Sequence, residues 1–136
     1  MIRAAVLSLT ASLLATLPAH AHHSFAAEYD ASKPITLTGR VTKVEWTNPH
    51  IFIYVDVTDD KTGAAVNWTL ELGAPNALMR LGWKRDSLKP DDVITVEGTL
   101  AKDGSRLANA TTIVMKATGQ RMLAGSSGGS QAPAKQ

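Results

Sequence analysis

The stretch ITLTGRVTKVEWTNPHIFIYVDV, Ile35 to Val57, decides how this chain folds. In its first part Ile35, Leu37 and Val41 alternate with Thr36, Thr38 and Arg40, the period of two expected of a half-buried strand. After Val41 the apolar phase slips to Val44 and Trp46. A bend at Gly39 or a bulge produces such a slip in a long strand that curls. Asn48-Pro49 then signals a turn, because Asn tolerates turn geometry and proline cannot donate to a ladder. A second strand follows, with Ile51, Ile53, Val55 and Val57 on one face and His50, Phe52, Tyr54 and Asp56 on the other.

Downstream, TDDKTG (58–63) breaks the chain, and AAVNWTLELG resumes alternation with Val66, Trp68, Leu70 and Leu72 in one phase, which predicts Trp68 in the core. In APNALMRLGW the period changes: Ala77, Leu78 and Leu81 share a helical face, Pro75 suits a first turn, and Gly82 suits a stop. DDVITVEGTLA and LANATTIVMKA give two more strands, joined by KDGS, whose Asp103-Gly104 is a hairpin signal. Val93 or its neighbours Ile94 and Val96, and Ile113, are the predicted core residues there. Three strands, a short helix and two strands predict an all-β domain with one short helix, a five-stranded OB-like Greek-key barrel that closes its own edges.

Outward from that core, residues 1–21 have the parts of a secretory signal: Arg3, the apolar run AAVLSLTASLLATL, and the small-x-small site Ala19-His20-Ala21. The expected organisation is a signal peptide over 1–21, an N-terminal arm over 22–33, the barrel over 34–123, and a Gly/Ser/Pro-rich flexible tail over 124–136. The apolar run is shorter than the roughly 20 residues a membrane-spanning helix needs, so no membrane anchor is expected after cleavage, and the expected location is the periplasm or the medium. Removal of 1–21 takes away Arg3 and lowers the formal charge from +2 to +1. Lys and Arg are spread among acids rather than gathered on a run, which argues against nucleic acid as a partner. With no cysteine, the chain has no disulfide framework and no thiolate chemistry.

Four segments taken together, HHSFAAEYD (22–30), GRVTKVEWTNPHIFIYVDV (39–57), WTLELGAPNALMRLGW (68–83) and KPDDVITVEGTLAKDGS (89–105), resemble a family of small exported bacterial proteins, domain of unknown function 6152. The likeness covers nearly all of residues 21 to 121. It implies an exported single domain and brings no catalytic residues with it.

The groups able to do chemistry are few. Cleavage after Ala21 exposes His22, whose terminal amine and imidazole can close a chelate ring on Cu(II), with Zn(II) or Ni(II) as alternatives. His23 is an auxiliary ligand candidate, Glu28 and Asp30 are nearby carboxylates, and His50 is the one histidine inside the folded core. Phe52 and Tyr54, beside His50 on the second strand's outer face, are the candidate ligand-binding face. Glu45 and Glu71 read as isolated, surface-facing strand carboxylates, and no nucleophile elbow or phosphate loop is present, so an enzyme is not expected. Two functions stay open: a small exported binding protein for copper or another divalent metal, and an OB-like envelope interaction module with no metal role.

Overall fold

A computed structural model describes residues 25–125. The order of elements is α1 (Phe25–Glu28), β1 (Tyr29–Glu45), β2 (Phe52–Thr58), β3 (Ala65–Glu71), α2 (Pro75–Arg80), β4 (Val93–Ala101), β5 (Leu107–Met115) and β6 (Arg121–Leu123). β1 pairs antiparallel with β2 through its second half and with β4 through its first, β2 pairs antiparallel with β3, and β4 with β5. A parallel pairing of β3 with β5, Thr69 to Leu107 through Glu71 to Asn109, closes a ring of five strands. That is the predicted barrel, with the helix between the third and fourth strands.

The slip in the apolar phase of β1 is a bulge. Two residues of β1 advance against one of β2 between Val41 and Lys43, where Val41 faces Val55 and Lys43 already faces Tyr54. The extra residue, Thr42, donates its hydroxyl to the Tyr54 carbonyl at 3.2 Å. Inward positions thus pass from Leu37 and Val41, both buried, to Val44 and Trp46, which pack against the edge of the core. Gly39 lies between Leu37 and Val41 in the inward phase. A Cβ there would stand 2.6 Å from the Asp56 carbonyl oxygen, so the close approach of β2, and not a left-handed turn, requires glycine.

Ile51, Ile53 and Val55 from β2 and its approach, Leu70 and Leu72 from the β3 segment, and Ile94, Val96 and Ile113 from β4 and β5 fill the barrel. Trp68, expected in the core, is half-buried and packs against the cluster from its rim. α2 begins at Pro75 and closes one end with the fully buried Leu78. Trp83, just beyond it, is buried and donates its indole N–H to the Leu123 carbonyl at 2.8 Å. Asp103-Gly104 forms the expected turn, with Gly104 at φ 78° and the Asp103 carboxylate accepting from the Ser105 N–H.

The sequence does not foresee β6. The N-terminal part of β5 pairs with β3, and its C-terminal part would be a bare edge without Arg121–Leu123, whose three residues carry no legible alternation. β1 begins at Tyr29, within the segment read as an arm, and pairs there with Ala101 before its register shifts ahead of Pro34.

Candidate functional site

β2 and its approach put His50, Phe52 and Tyr54 on one face, outside the barrel, as the alternation predicts. His50 is held by its ring: Nδ1 lies 3.0 Å from the Leu72 carbonyl oxygen and 3.4 Å from Oε1 of Glu71. A carbonyl oxygen only accepts, so Nδ1 carries a hydrogen, and in the neutral ring the lone pair is on Nε2. The ring is held in orientation, and its other nitrogen has no hydrogen-bond partner among the described residues.

Glu71 is the residue the sequence misplaces. It is not surface-facing: it is 9% exposed, and its Oε2 accepts a hydrogen bond from the hydroxyl of Tyr29, itself 2% exposed. Glu71 does point outward from the barrel, as the period of two requires. The N-terminal segment crosses over it and covers it. Burial, then the hydrogen bond and negative charge of Glu71, push the Tyr29 phenol far above the ordinary tyrosine range, so it stays a neutral donor. Phe25 stacks on Tyr29 with ring centroids 5.4 Å apart, and Lys102 ties the segment down, its N–H donating to the Glu28 carbonyl and its ammonium to that of Ala26. Asn109, the register partner of Glu71 on β5, is 1% exposed, and its Oδ1 has no partner among the described residues.

His22 and His23, the proposed ligands at a processed N-terminus, lie outside the described residues, as do residues 1–21 and the tail beyond Gly125. Among the described residues no three His, Asp or Glu side chains are grouped to hold a metal ion. Asp30 is engaged locally, accepting from the N–H and hydroxyl of Ser32 and pairing with Lys33 at 3.5 Å, and these bonds hold its carboxyl below the usual range. No helix among the described residues is long and apolar enough to cross a membrane.

Phe52 and Tyr54 line an open groove of about 490 Å³ that runs over β2 and β3 to the start of β5. Tyr54 donates its hydroxyl to Oε2 of Glu45 at 3.1 Å, the other oxygen of Glu45 accepts from Lys43, and the Lys43 ammonium lies 5.3 Å from the Tyr54 ring centroid. Glu45 is thus a paired carboxylate held below its usual range, first by Lys43 and then by Tyr54. Sequence reasoning missed Tyr29, and also Arg106 of the β4–β5 loop, which lines the groove. An aromatic in a polar arm directly ahead of a strand was the available signal for the first, whereas nothing in a hairpin loop distinguishes Arg106.

No curated protein matches the chain. The family resemblance, by contrast, holds over most of its length: with residues 11–110 matched, this chain belongs to the family of unknown function DUF6152.

Proposed function

We propose that this chain is an exported binding protein that holds a divalent metal ion, copper(II) ahead of zinc or nickel, between His50 and the amine and imidazole of His22 at a processed N-terminus, with His23 as auxiliary ligand. The observation that carries this reading is the state of the His50 ring. Histidines that bind metals characteristically donate their second N–H to a carbonyl or carboxylate, which fixes the tautomer and aims the free nitrogen. His50 has both acceptors, Leu72 and Glu71, on Nδ1.

Proximity supports it further. Phe25 stacks on Tyr29, Tyr29 bonds Glu71, and Glu71 neighbours His50. Only His23 and Ser24 lie between His22 and Phe25, so three residue steps make a tether of about 10 Å at full extension. An amine and an imidazole from one residue, joined by a second imidazole, form a nitrogen set suited to a tetragonal ion, and first-row affinities peak at copper(II).

The test is a copper(II) titration of protein recovered after export, its start established by intact mass. One residue added ahead of His22 should weaken binding nearly as much as His22→Ala, because it removes the amine chelate while keeping the imidazole. His50→Ala should weaken it again, and binding should fade as pH falls and protons compete for the nitrogens. Equal affinity with and without His50, or a mature protein starting beyond His23, overturns the reading and leaves an interaction module without a metal role.

A further inference from the structure

The groove over β2 and β3 has walls of different character. On the β1 side, Glu45, Lys43 and Tyr54 satisfy one another, so an acid, a base and a phenol contribute no net charge and no open bonding position of strength. On the opposite side stands Arg106. Its carbonyl accepts from the Thr69 N–H at 2.9 Å, which fastens the β4–β5 loop to β3, while its guanidinium makes no hydrogen bond or ion pair among the described residues. Asp59 feels its charge, but weakly compared with the backbone N–H groups of Thr62 and Lys61 that hold that carboxylate. Arg106 therefore carries the groove's uncompensated charge.

Between the walls lie the Phe52 ring and the Leu107 side chain, with the Thr69 hydroxyl, which has no hydrogen-bond partner among the described residues, and the Ser105 hydroxyl, which bonds the Asp103 carboxylate and keeps its oxygen to accept. Asn67 spends its amide nitrogen on Asp56 at 2.8 Å and on the Thr42 hydroxyl at 3.4 Å, and its oxygen has no partner among the described residues. A ligand matching this set has one oxyanion for the guanidinium fork, an apolar ring face for Phe52, and several hydroxyls for Thr69, Ser105 and Asn67. A nucleic acid strand fits poorly, since a polyanion calls for a row of cations along the groove. A peptide joined through its backbone finds no free edge on β2, paired on both sides, nor on β3 over Thr69–Glu71, which pairs with both β2 and β5.

We propose that this groove binds an acidic saccharide, with a uronate carboxylate on Arg106 and a sugar ring on Phe52. The site is independent of the metal reading, and its test uses protein kept free of metal by a chelator. Trigalacturonate is titrated into labelled protein and followed by amide and side-chain NMR, with uncharged galactotriose and benzoate in parallel. Trigalacturonate should shift the signals of Phe52, Thr69, Ser105 and Arg106. Arg106→Gln, a change at an exposed position, should weaken it by about tenfold or more, the loss expected of one charge-assisted contact. Galactotriose should bind the native protein about as weakly as trigalacturonate binds that variant. No shift at these residues, or an affinity unchanged by Arg106→Gln, overturns the proposal. Benzoate binding as tightly as the trisaccharide overturns its sugar half by assigning the ring to an aromatic acid.

Discussion

Two tyrosine hydroxyls in this protein donate to two glutamates, Tyr29 to Glu71 and Tyr54 to Glu45, and the two pairs behave as different chemistry. The first is sealed beneath the N-terminal segment, with Tyr29 2% and Glu71 9% exposed. It joins that segment to the barrel and, through Glu71, to His50. The second stands on the groove wall with Lys43 across it, half open to water. Register puts Glu71 opposite Phe52, so the two regions adjoin on one sheet face. What separates them is cover. In the sealed pair each partner depends on the other, because a buried polar atom that loses its partner regains no water. In the open pair water replaces either one, which leaves that face free to exchange its contacts for those of a ligand.

The largest effect expected is one that erases this contrast. Ile53 lies on β2 between Phe52 and Tyr54, faces inward and is fully buried against both regions' floor. Ile53→Ala should cost about 2 to 5 kcal/mol in urea denaturation. A loss under about 0.5 kcal/mol would mean that this face is not the core. Next in size is Tyr29→Phe, which keeps the ring and its stack on Phe25 but leaves an oxygen of the buried Glu71 without its donor. The expected cost is about 1 to 3 kcal/mol. The same change at Tyr54 should stay within about 0.5 kcal/mol of the native protein. Equal costs for the two substitutions would break the comparison.

How far the sequence discloses these regions follows from what a period of two encodes. Alternation states which side of a strand a residue leaves by, and it correctly sends Leu37, Ile53, Leu70 and Ile113 inward and His50, Phe52 and Tyr54 outward. The break in phase after Val41 was legible, and of the two causes it offered, a bend at Gly39 or a bulge, the register shows the bulge. Alternation does not say what lies over the outer face. Glu71 leaves outward and is nonetheless buried, because Tyr29 arrives from 42 positions earlier in the chain. No local pattern holds that contact. β6 escapes for a related reason: three residues pair because β5 offers them an edge, not because their own sequence alternates. The metal ligands proposed at a processed N-terminus, His22 and His23, lie outside the described residues, and no strand alternation bears on their distance from His50.

The finest test of the comparison is spectroscopic, and it uses the fact that the protein has only two tyrosines, one per region. Folding raises the pKa of both phenols, through burial first and a glutamate second, but Tyr29 is carried much further because its burial is nearly complete. For either group the folded state then keeps a proton that the unfolded chain releases near pH 10, the ordinary value. The resulting stabilisation is full below that pH and declines as pH rises above it, because deprotonation favours the unfolded chain. Followed by phenolate absorbance, Tyr54 should ionise reversibly in the folded protein, somewhat above its ordinary value. Tyr29 should appear only together with the loss of tertiary structure. In Tyr29→Phe the second step should vanish from the absorbance trace, and the alkaline decline in stability should become shallower. Two phenols ionising in one reversible step while the protein stays folded would place Tyr29 in contact with water, and with that the contrast between a sealed and an open pair would be lost.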